Sequence, residues 1–240
     1  MSKPAYDVPA VEIGDLAFET PVPVLAPVPV PVPVPVARPA NYTRSLFHVA
    51  SGALSLGLLR LMPSRGSLIA AAAGFATLAW TMEIARRRSP AINDGLMKIL
   101  SPIAHPRERH HVNSSTWYGT ALLILALFFP LRAAEIGVVV LGLADPVAGF
   151  IGRRFGRTRL RAGRSLEGTL AFVVAGTIGA LAALAAFHAL PWSSRIILAL
   201  VGAVAGAVAE LVSTRFDDNF TIPLTTAIAV AATQLFLPGM

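Results

Sequence analysis

Residues 168–190, GTLAFVVAGTIGALAALAAFHAL, form an apolar stretch of 23 residues without Asp, Glu, Lys or Arg. An α-helix rises about 1.5 Å per residue, so about 20 apolar residues cross the ~30 Å hydrocarbon layer of a bilayer. The stretch is therefore typical of a transmembrane helix.

The composition of the whole chain agrees with this interpretation. Of its 240 residues, 55% are hydrophobic and 14% are charged, and the mean hydropathy is +0.65. A soluble domain carries about 25% charged residues, so the composition excludes a water-soluble globule. The chain has no cysteine, which excludes disulfides, Cys-based zinc or iron–sulfur sites and a thiol nucleophile.

Other apolar runs separated by short polar loops predict an all-α, polytopic transmembrane bundle. About seven spans are expected, at residues 46–63, 67–85, 116–131, 133–151, 168–190, 194–213 and 221–237. Several runs are near the lower limit of about 17 residues, so six spans is the alternative. Residues 92–104 are too short to span and predict an interfacial helix ending near Pro102.

Residues 1–40 differ in composition from the rest and predict a disordered Pro/Val-rich tail before a transmembrane domain at residues 41–240. The segment from Pro21 to Val36 reads PVPVLAPVPVPVPVPV. Proline fixes φ and lacks an N–H, so this run predicts an extended polyproline II spacer, with an SH3-type ligand as the alternative. The first 20 residues are acidic and do not resemble a secretory signal peptide.

The positive charges predict the orientation. The net charge of +7 would indicate nucleic acid in a soluble protein, but membrane orientation and anionic headgroups explain it more simply, so no nucleic acid is expected. With seven spans, sixteen Lys and Arg lie on the side of the N-terminus and four on the other. The positive-inside rule then places the N-terminus in the cytoplasm, and we expect a bacterial inner (plasma) membrane protein.

Asp145 is the most informative polar residue. It lies in LGLADPVAGFIGRRFG (residues 141–156), directly before Pro146, which removes a helical hydrogen bond. An acid beside a helix break at membrane depth resembles the broken-helix ion sites of membrane proteins. The alternative is an acid that caps the broken helix or pairs with an arginine.

Two further spans carry polar residues near the cytoplasmic side. Arg44, His48 and Gly52 are spaced by four and share one face of the first span. Glu83, in the second span, precedes two arginines by three and four residues, a spacing that suits structural ion pairs as well as a functional role.

The loop at residues 152–167 contains six arginines and three glycines. Arginine suits phosphate oxygens and glycine lets the backbone approach them, although a basic loop is also an ordinary topological signal. Ser165 is a candidate N-cap of the fifth span, which would direct the helix N-terminus at an anion. Glu167 is then either a dipole-compensating residue or a metal ligand. The chain lacks GxxxxGK[ST], which argues against a P-loop NTPase.

A last polar cluster consists of Glu210, Asp217, Asp218 and Asn219. Asp218 or Asn219 is a candidate N-cap of the seventh span. Adjacent acids with an Asn also suit Mg²⁺ shared with phosphates. Under the predicted topology all these residues reach the cytoplasmic side, where acids, arginines and access to lipid together indicate a phosphotransfer site.

The motifs resemble the dolichol kinase, phytol kinase and CTP-dependent diacylglycerol kinase family, which is related to the phosphatidate cytidylyltransferases. The resemblance covers about residues 44–226 and rests on R-x3-H-x3-G at Arg44–Gly52, MEIARRRSPAIN, HPRERHHVNSSTWYG, ADPVAGFIGRRFG, GRSLEGTLAF and DDNFTIPL, in that order. Two positions depart from the family pattern: Ala144 replaces Gly in Gly-Asp-Pro, and Arg164 replaces Lys in Gly-Lys-Ser.

The resemblance implies phosphoryl transfer from CTP, with Mg²⁺, to the hydroxyl of a membrane lipid alcohol such as a polyprenol, a phytol-like alcohol or diacylglycerol. It implies that Asp145, Glu167 and Asp218, with Asp217 as a further metal ligand, hold Mg²⁺ or orient the hydroxyl. It further implies that the phosphates are bound by Arg153, Arg154, Gly163, Arg164 and Ser165. By the same resemblance, Arg44 and His48 would approach the phosphates or accept the substrate proton. Glu83, Glu210 and Asn219 are accessory candidates for the site.

Two other functions compete with a kinase. A cytidylyltransferase would use CTP to make a CDP-lipid, and a small ion-coupled transporter would use Asp145 and Glu210 as ion sites. Gly202 and Gly206 form a Gly-x3-Gly pair, which packs helices within one bundle more often than it forms a homo-oligomer.

Overall fold

The computed structural model describes residues 42–103, 106–213 and 216–237, and the tail predicted for residues 1–40 lies outside them. The described residues form nine α-helices: α1 (Tyr42–Leu61), α2 (Arg65–Arg88), α3 (Pro90–Leu100), α4 (Ser114–Phe128), α5 (Leu131–Val139), α6 (Asp145–Phe155), α7 (Leu166–Phe187), α8 (Trp192–Val212) and α9 (Asp218–Gln234). A π-helical turn, Val140–Ala144, joins α5 to α6. An isolated bridge between Arg159 and Ser165 is the one β pairing in the described residues.

The helices coincide with the predicted segments. Each of the seven predicted spans overlaps a helix, and α3 overlaps the predicted interfacial helix. Within the described part of the chain, four helices are long and apolar enough to cross a membrane: α2, the continuous helix Leu131–Phe155, α7 and α8. The all-helical membrane architecture is therefore confirmed, whereas crossing by α1, α4 and α9 stays a prediction.

Polar side chains fix where several helices begin. Ser64, Asn113, Ser165 and Asp217 each accept a hydrogen bond from a backbone N–H in the first turn of the helix that follows. These caps satisfy N–H groups that a helix start leaves without an intrahelical partner. The N-cap prediction for Ser165 is thus confirmed, but the cap of α9 is Asp217, not Asp218 or Asn219.

The core lies around α5 and the π-helical turn. Both pack against α7, α8 and α9, and small residues allow close approach. A Cβ atom on Gly137 would lie 2.6 Å from the carbonyl oxygen of Pro223 in α9. Gly202 and Gly206 face side chains of α5, the π-helical turn, α7 and α9, so this pair packs helices within the bundle.

The outer surface of the bundle is apolar. On α7, Leu170, Val174 and Ile178 follow one another at intervals of four and are 57%, 59% and 61% exposed. This spacing places them on one helix face, and an apolar exposed stripe suits contact with lipid.

Candidate active site

His48 and Asp145 come together where α1 crosses the π-helical turn. A Cβ atom on Gly52 would lie 2.9 Å from the Cα atom of Gly142, so only glycines permit this approach. His48 lies one turn before Gly52, and Asp145 lies three residues after Gly142. Their side chains meet with His48 Nδ1 3.7 Å from Asp145 Oδ2.

The helix around Asp145 is widened and not broken. The sequence predicts a helix break at Pro146, but the helix is continuous over Leu131–Phe155 and contains the π-helical turn directly before Asp145. Proline lacks an N–H and its ring would meet the carbonyl of the preceding turn, and the wider turn accommodates both effects. The expected break is therefore wrong, and a π-helical turn stands directly before Asp145 in its place.

Arg164 connects the ends of two helices. One guanidinium nitrogen lies 2.9 Å from Glu210 Oε1, at the end of α8, and another lies 3.0 Å from Asp218 Oδ2, at the start of α9. Glu210 is nearly fully buried. Arg164 and Asp218 also interact electrostatically with Asp145, so this group continues into the His48–Asp145 pair.

The two adjacent acids at the start of α9 have different surroundings. Asp217 accepts hydrogen bonds from the backbone and side chain of Asn219 and from Ser114 Oγ. Burial, together with the charge of Asp218, raises the pKa of Asp217 to about 6. Burial alone would also raise the pKa of Asp218, but the guanidinium of Arg164 keeps it below its usual value.

Glu108 and Ser114 extend this site, although the sequence motifs did not predict them. Glu108 is 3% exposed and accepts a 3.0 Å hydrogen bond from Arg44. Ser114 Oγ lies 3.2 Å from Glu108 and 3.0 Å from Asp217. An acid within the basic segment HPRERHHVNSSTWYG is the signal that would have identified Glu108.

Glu83 stabilises the chain next to the site and does not enter it. Its carboxylate, 2% exposed, pairs with Arg86 and Arg87 of the same helix and accepts the backbone N–H of Asn113 at 3.2 Å. These contacts agree with the structural interpretation of its spacing. They fix Asn113, the N-cap of α4, and thereby the helix start that carries Ser114.

Four further predicted residues lie at the end of α6, in the arginine-rich loop and at the start of α7. Arg153 and Arg154 are exposed at the end of α6, and Gly163 has a φ of +75°, which glycine adopts readily. Glu167 accepts the backbone N–H of Thr158 at 3.2 Å. Among the described residues, Glu167 forms no ion pair with the Arg164 cluster.

A cavity of about 450 Å³ opens beside this cluster. Its walls are mainly apolar and come from α1, α2, α4 and α5, while His48, Ser114 and Asn219 line its polar end. This volume falls in the range of about 300–1,000 Å³ that is usual for small-molecule sites.

The described residues contain no group of three or more His, Asp or Glu side chains arranged to hold a metal. Asp145, Asp218 and Glu210 interact with one another electrostatically, but Glu210 is nearly fully buried against Arg164, whereas the side chains of Asp145 and Asp218 are 17% and 19% exposed. Asp145 and Asp218 are therefore the two candidate metal ligands. Mg²⁺ usually takes one or two carboxylates and completes its shell with water and substrate phosphates, so these residues fit a shared site and not an all-protein cage.

A second buried cluster lies near the opposite ends of these helices. Glu135, 1% exposed, pairs with Arg60 at 2.8 Å and with His188 at 2.6 Å. The sequence motifs predict no role for these residues.

The fold and the site together define an integral membrane protein whose buried charged groups gather at the end of an apolar cavity. Comparison with known proteins is consistent with this class. The chain is 30% identical to the phytol kinase of Synechocystis sp. (strain PCC 6803) over 211 residues, which cover 83% of this chain and 82% of that protein. The chain therefore belongs to the phytol kinase-like family of membrane lipid-alcohol kinases.

Two other relatives are also named as kinases of lipid alcohols. The chain is 27% identical over 209 residues to CTP-dependent diacylglycerol kinase 1 of Eremothecium gossypii, covering 77% of this chain but only 64% of that protein's length. It is 29% identical over 148 residues to the farnesol kinase of Arabidopsis thaliana, covering 57% of this chain and 47% of the other. No family model and no solved structure matches the chain.

Proposed function

We propose that this protein transfers a phosphoryl group from CTP to the hydroxyl of a membrane lipid alcohol. The observation that carries the proposal is the junction between the charged cluster and the apolar cavity. His48 belongs to both, and Ser114 and Asn219 connect Asp217 and Asp218 to the polar end of the cavity. A lipid alcohol needs this combination, because its chain requires apolar walls while its hydroxyl must meet a nucleotide.

The His48–Asp145 pair is the proposed acid–base unit. The acceptor hydroxyl would lie at the polar end of the cavity, beside the imidazole. Its oxygen attacks the γ-phosphorus, the bond between that phosphorus and the β,γ-bridging oxygen breaks, and CDP leaves. The hydroxyl proton passes to His48, whose Nδ1 lies 3.7 Å from Asp145 Oδ2, so that the carboxylate stabilises the imidazolium that forms.

The cations around the pair are the proposed phosphate-binding groups. Arg164 and Arg44 carry positive charge into the cluster, and Arg153 and Arg154 stand exposed at the end of α6. The Ser165-capped start of α7 adds backbone N–H groups, which favour an anion. In phosphoryl transfer such groups act by positioning and by neutralising charge.

Asp145 and Asp218 are the proposed ligands of Mg²⁺, which would neutralise charge on the phosphates when bound. Asp217 already caps α9, and Glu167 contacts Thr158. Metal-binding or catalytic roles for those two acids stay predictions.

The proposed topology has seven spans, with the N-terminus and the site in the cytoplasm of a bacterium. The positive charges support this orientation. Aromatic residues support the boundaries: Trp117 packs against Trp80 and Phe216 near the polar end of the cavity, and Trp192 is exposed at the start of α8. Tryptophan is enriched at both membrane interfaces.

The test uses purified protein in detergent with Mg²⁺, γ-labelled CTP and a panel of polyprenols, phytol and diacylglycerol. Label entering the organic phase, and its loss with EDTA or in Asp145→Asn, is the expected result. Unlabelled ATP, GTP and UTP as competitors identify the donor. Label that enters the lipid only from α-labelled CTP and phosphatidate would instead establish CDP-lipid synthesis.

A further inference from the structure

The apolar cavity ends at a wall that it shares with a second space. A smaller cavity of about 160 Å³ lies toward the opposite ends of the same helices. Both cavities are lined by Leu59, Leu68, Leu125, Ala126 and Ala134. These five side chains, from α1, α2, α4 and α5, therefore separate the two spaces.

The wall lies at a defined depth below the polar end of the cavity. From His48 at the polar end to Leu59 at the wall, α1 advances eleven residues, or about 16 Å at 1.5 Å per residue. The long dimension of the cavity thus follows the helix axis, as a hydrocarbon chain that extends into a bilayer does.

A charged cluster lies next to the wall along the chain. Arg60 is the residue after Leu59, and Glu135 is the residue after Ala134, and these two pair with each other at 2.8 Å. Glu135 also meets His188, and both acid and imidazole are largely buried. None of these three residues lines either cavity, so the end of the large cavity is formed by the five apolar side chains of the wall.

The cavity is also open toward lipid. Its lining residues Phe47 and Leu54 on α1 and Phe75 on α2 are 47%, 65% and 41% exposed on the bundle surface. α1 packs against α5, α6 and the π-helical turn, whereas α2 packs against α4. A chain can therefore enter sideways between α1 and α2.

We propose that the cavity holds one hydrocarbon chain of the acceptor and that the wall around Leu68 and Leu59 limits the length of chain that fits. The inference rests on the proposed function, because it places the acceptor hydroxyl at His48. It assigns chain-length selection to residues that touch neither nucleotide nor reacting atoms.

Two matched pairs of variants test the wall. Leu68→Ala opens the wall into the smaller cavity, and its control is Leu78→Ala, on the exposed side of the same helix. Ala72→Leu fills the large cavity before the wall, and its control is Ala70→Leu, which is exposed and does not line the cavity. The acceptors are saturated primary alcohols graded from decanol to tetracosanol.

Leu68→Ala is expected to raise the ratio of kcat/KM for long over short alcohols about tenfold, and Ala72→Leu to lower it by a similar factor. Both controls should keep the wild-type ratio. Unchanged ratios in both test variants, with activity retained, would overturn the inference.

A binding measurement separates this inference from the proposed function. The rise in melting temperature on adding each alcohol, without nucleotide, is recorded for the same five proteins. A chain-length optimum that moves in Leu68→Ala supports the wall even if no phosphoryl transfer occurs, in which case only the proposed reaction fails. Stabilisation that is independent of chain length in every variant would overturn the wall.

Discussion

Gly52 of α1 and Gly142 of the π-helical turn cross so closely that a Cβ atom on Gly142 would lie 3.0 Å from the Cα atom of Gly52. The crossing sets the distance between His48 and Asp145, because each of these residues lies about one turn from its glycine. The backbone contact and the proposed acid–base pair are thus parts of one arrangement.

Gly52→Ala is expected to force α1 away from the turn, at a cost of about 1–3 kcal/mol in stability. A separation of about 1 Å at His48 should lower kcat at least tenfold. The control is Gly57→Ala, because a Cβ atom there meets nothing within 4 Å in the same helix. Activity per folded protein and the melting temperature are compared. Full activity in Gly52→Ala would show that the close crossing does not set the geometry of the pair.

The predicted helices and the unpredicted contacts have different origins in the sequence. Apolar runs such as residues 168–190 identify helices, because the length of a hydrophobic run reports local structure. The His48–Asp145 contact joins residues far apart in the chain, and it depends on two glycines that no local pattern relates. Sequence spacing showed that Arg44, His48 and Gly52 share a face, but not which helix that face meets.

Pro146 illustrates a second limit. Its presence indicates a disturbed helix, but whether the helix breaks or widens depends on how neighbouring helices satisfy the backbone. Here the surrounding bundle holds Val140 and Ala144 fully buried, and the helix continues through a π-helical turn. Glu108 was missed for a related reason: an acid in a basic segment is visible in the sequence, but its burial against Arg44 of a distant helix arises from tertiary packing.

Asp145→Asn is expected to lower turnover at least a hundredfold while the protein still inserts and folds, because a positioned acid–base group or metal ligand contributes at least that much. His48→Gln should lower kcat more than it changes KM for CTP. Asp94→Asn is the control, since Asp94 is an exposed acid that pairs with Arg109. The assay is transfer of γ-label from CTP to lipid. Retention of more than a tenth of the activity in Asp145→Asn would contradict its proposed role.

Arg164 is expected to matter for both stability and nucleotide binding. Arg164→Ala leaves Glu210 buried without its cation, a loss of about 3 kcal/mol or less, since the arginine side chain is 31% exposed. Adding Glu210→Gln should restore most of the melting temperature, because the buried charge is then gone, but should not restore KM for CTP. Equal recovery of stability and KM would assign Arg164 a structural role only.

Arg164→Lys provides a finer comparison at the same position. A guanidinium contacts Glu210 and Asp218 through different nitrogens, whereas an ammonium is a single point charge. We expect Lys to keep the melting temperature within a few degrees and to change KM for CTP by several-fold. An unchanged KM would show that the nucleotide does not contact this position.

Substitutions of Glu167, at the start of α7, distinguish direct binding of Mg²⁺ by this acid from a role in positioning the arginine-rich loop. Its carboxylate accepts the backbone N–H of Thr158 and thereby ties the arginine-rich loop to the helix. Glu167→Ala is expected to lower turnover more than tenfold. Glu167→Gln keeps an oxygen that can accept from Thr158 but lacks the charge that a metal requires. If the residue positions the loop, Gln recovers most of kcat and the remaining defect lies in KM for CTP. If it binds Mg²⁺, Gln is as inactive as Ala, and its activity rises with the Mg²⁺ concentration. Full activity in Glu167→Ala would contradict both roles.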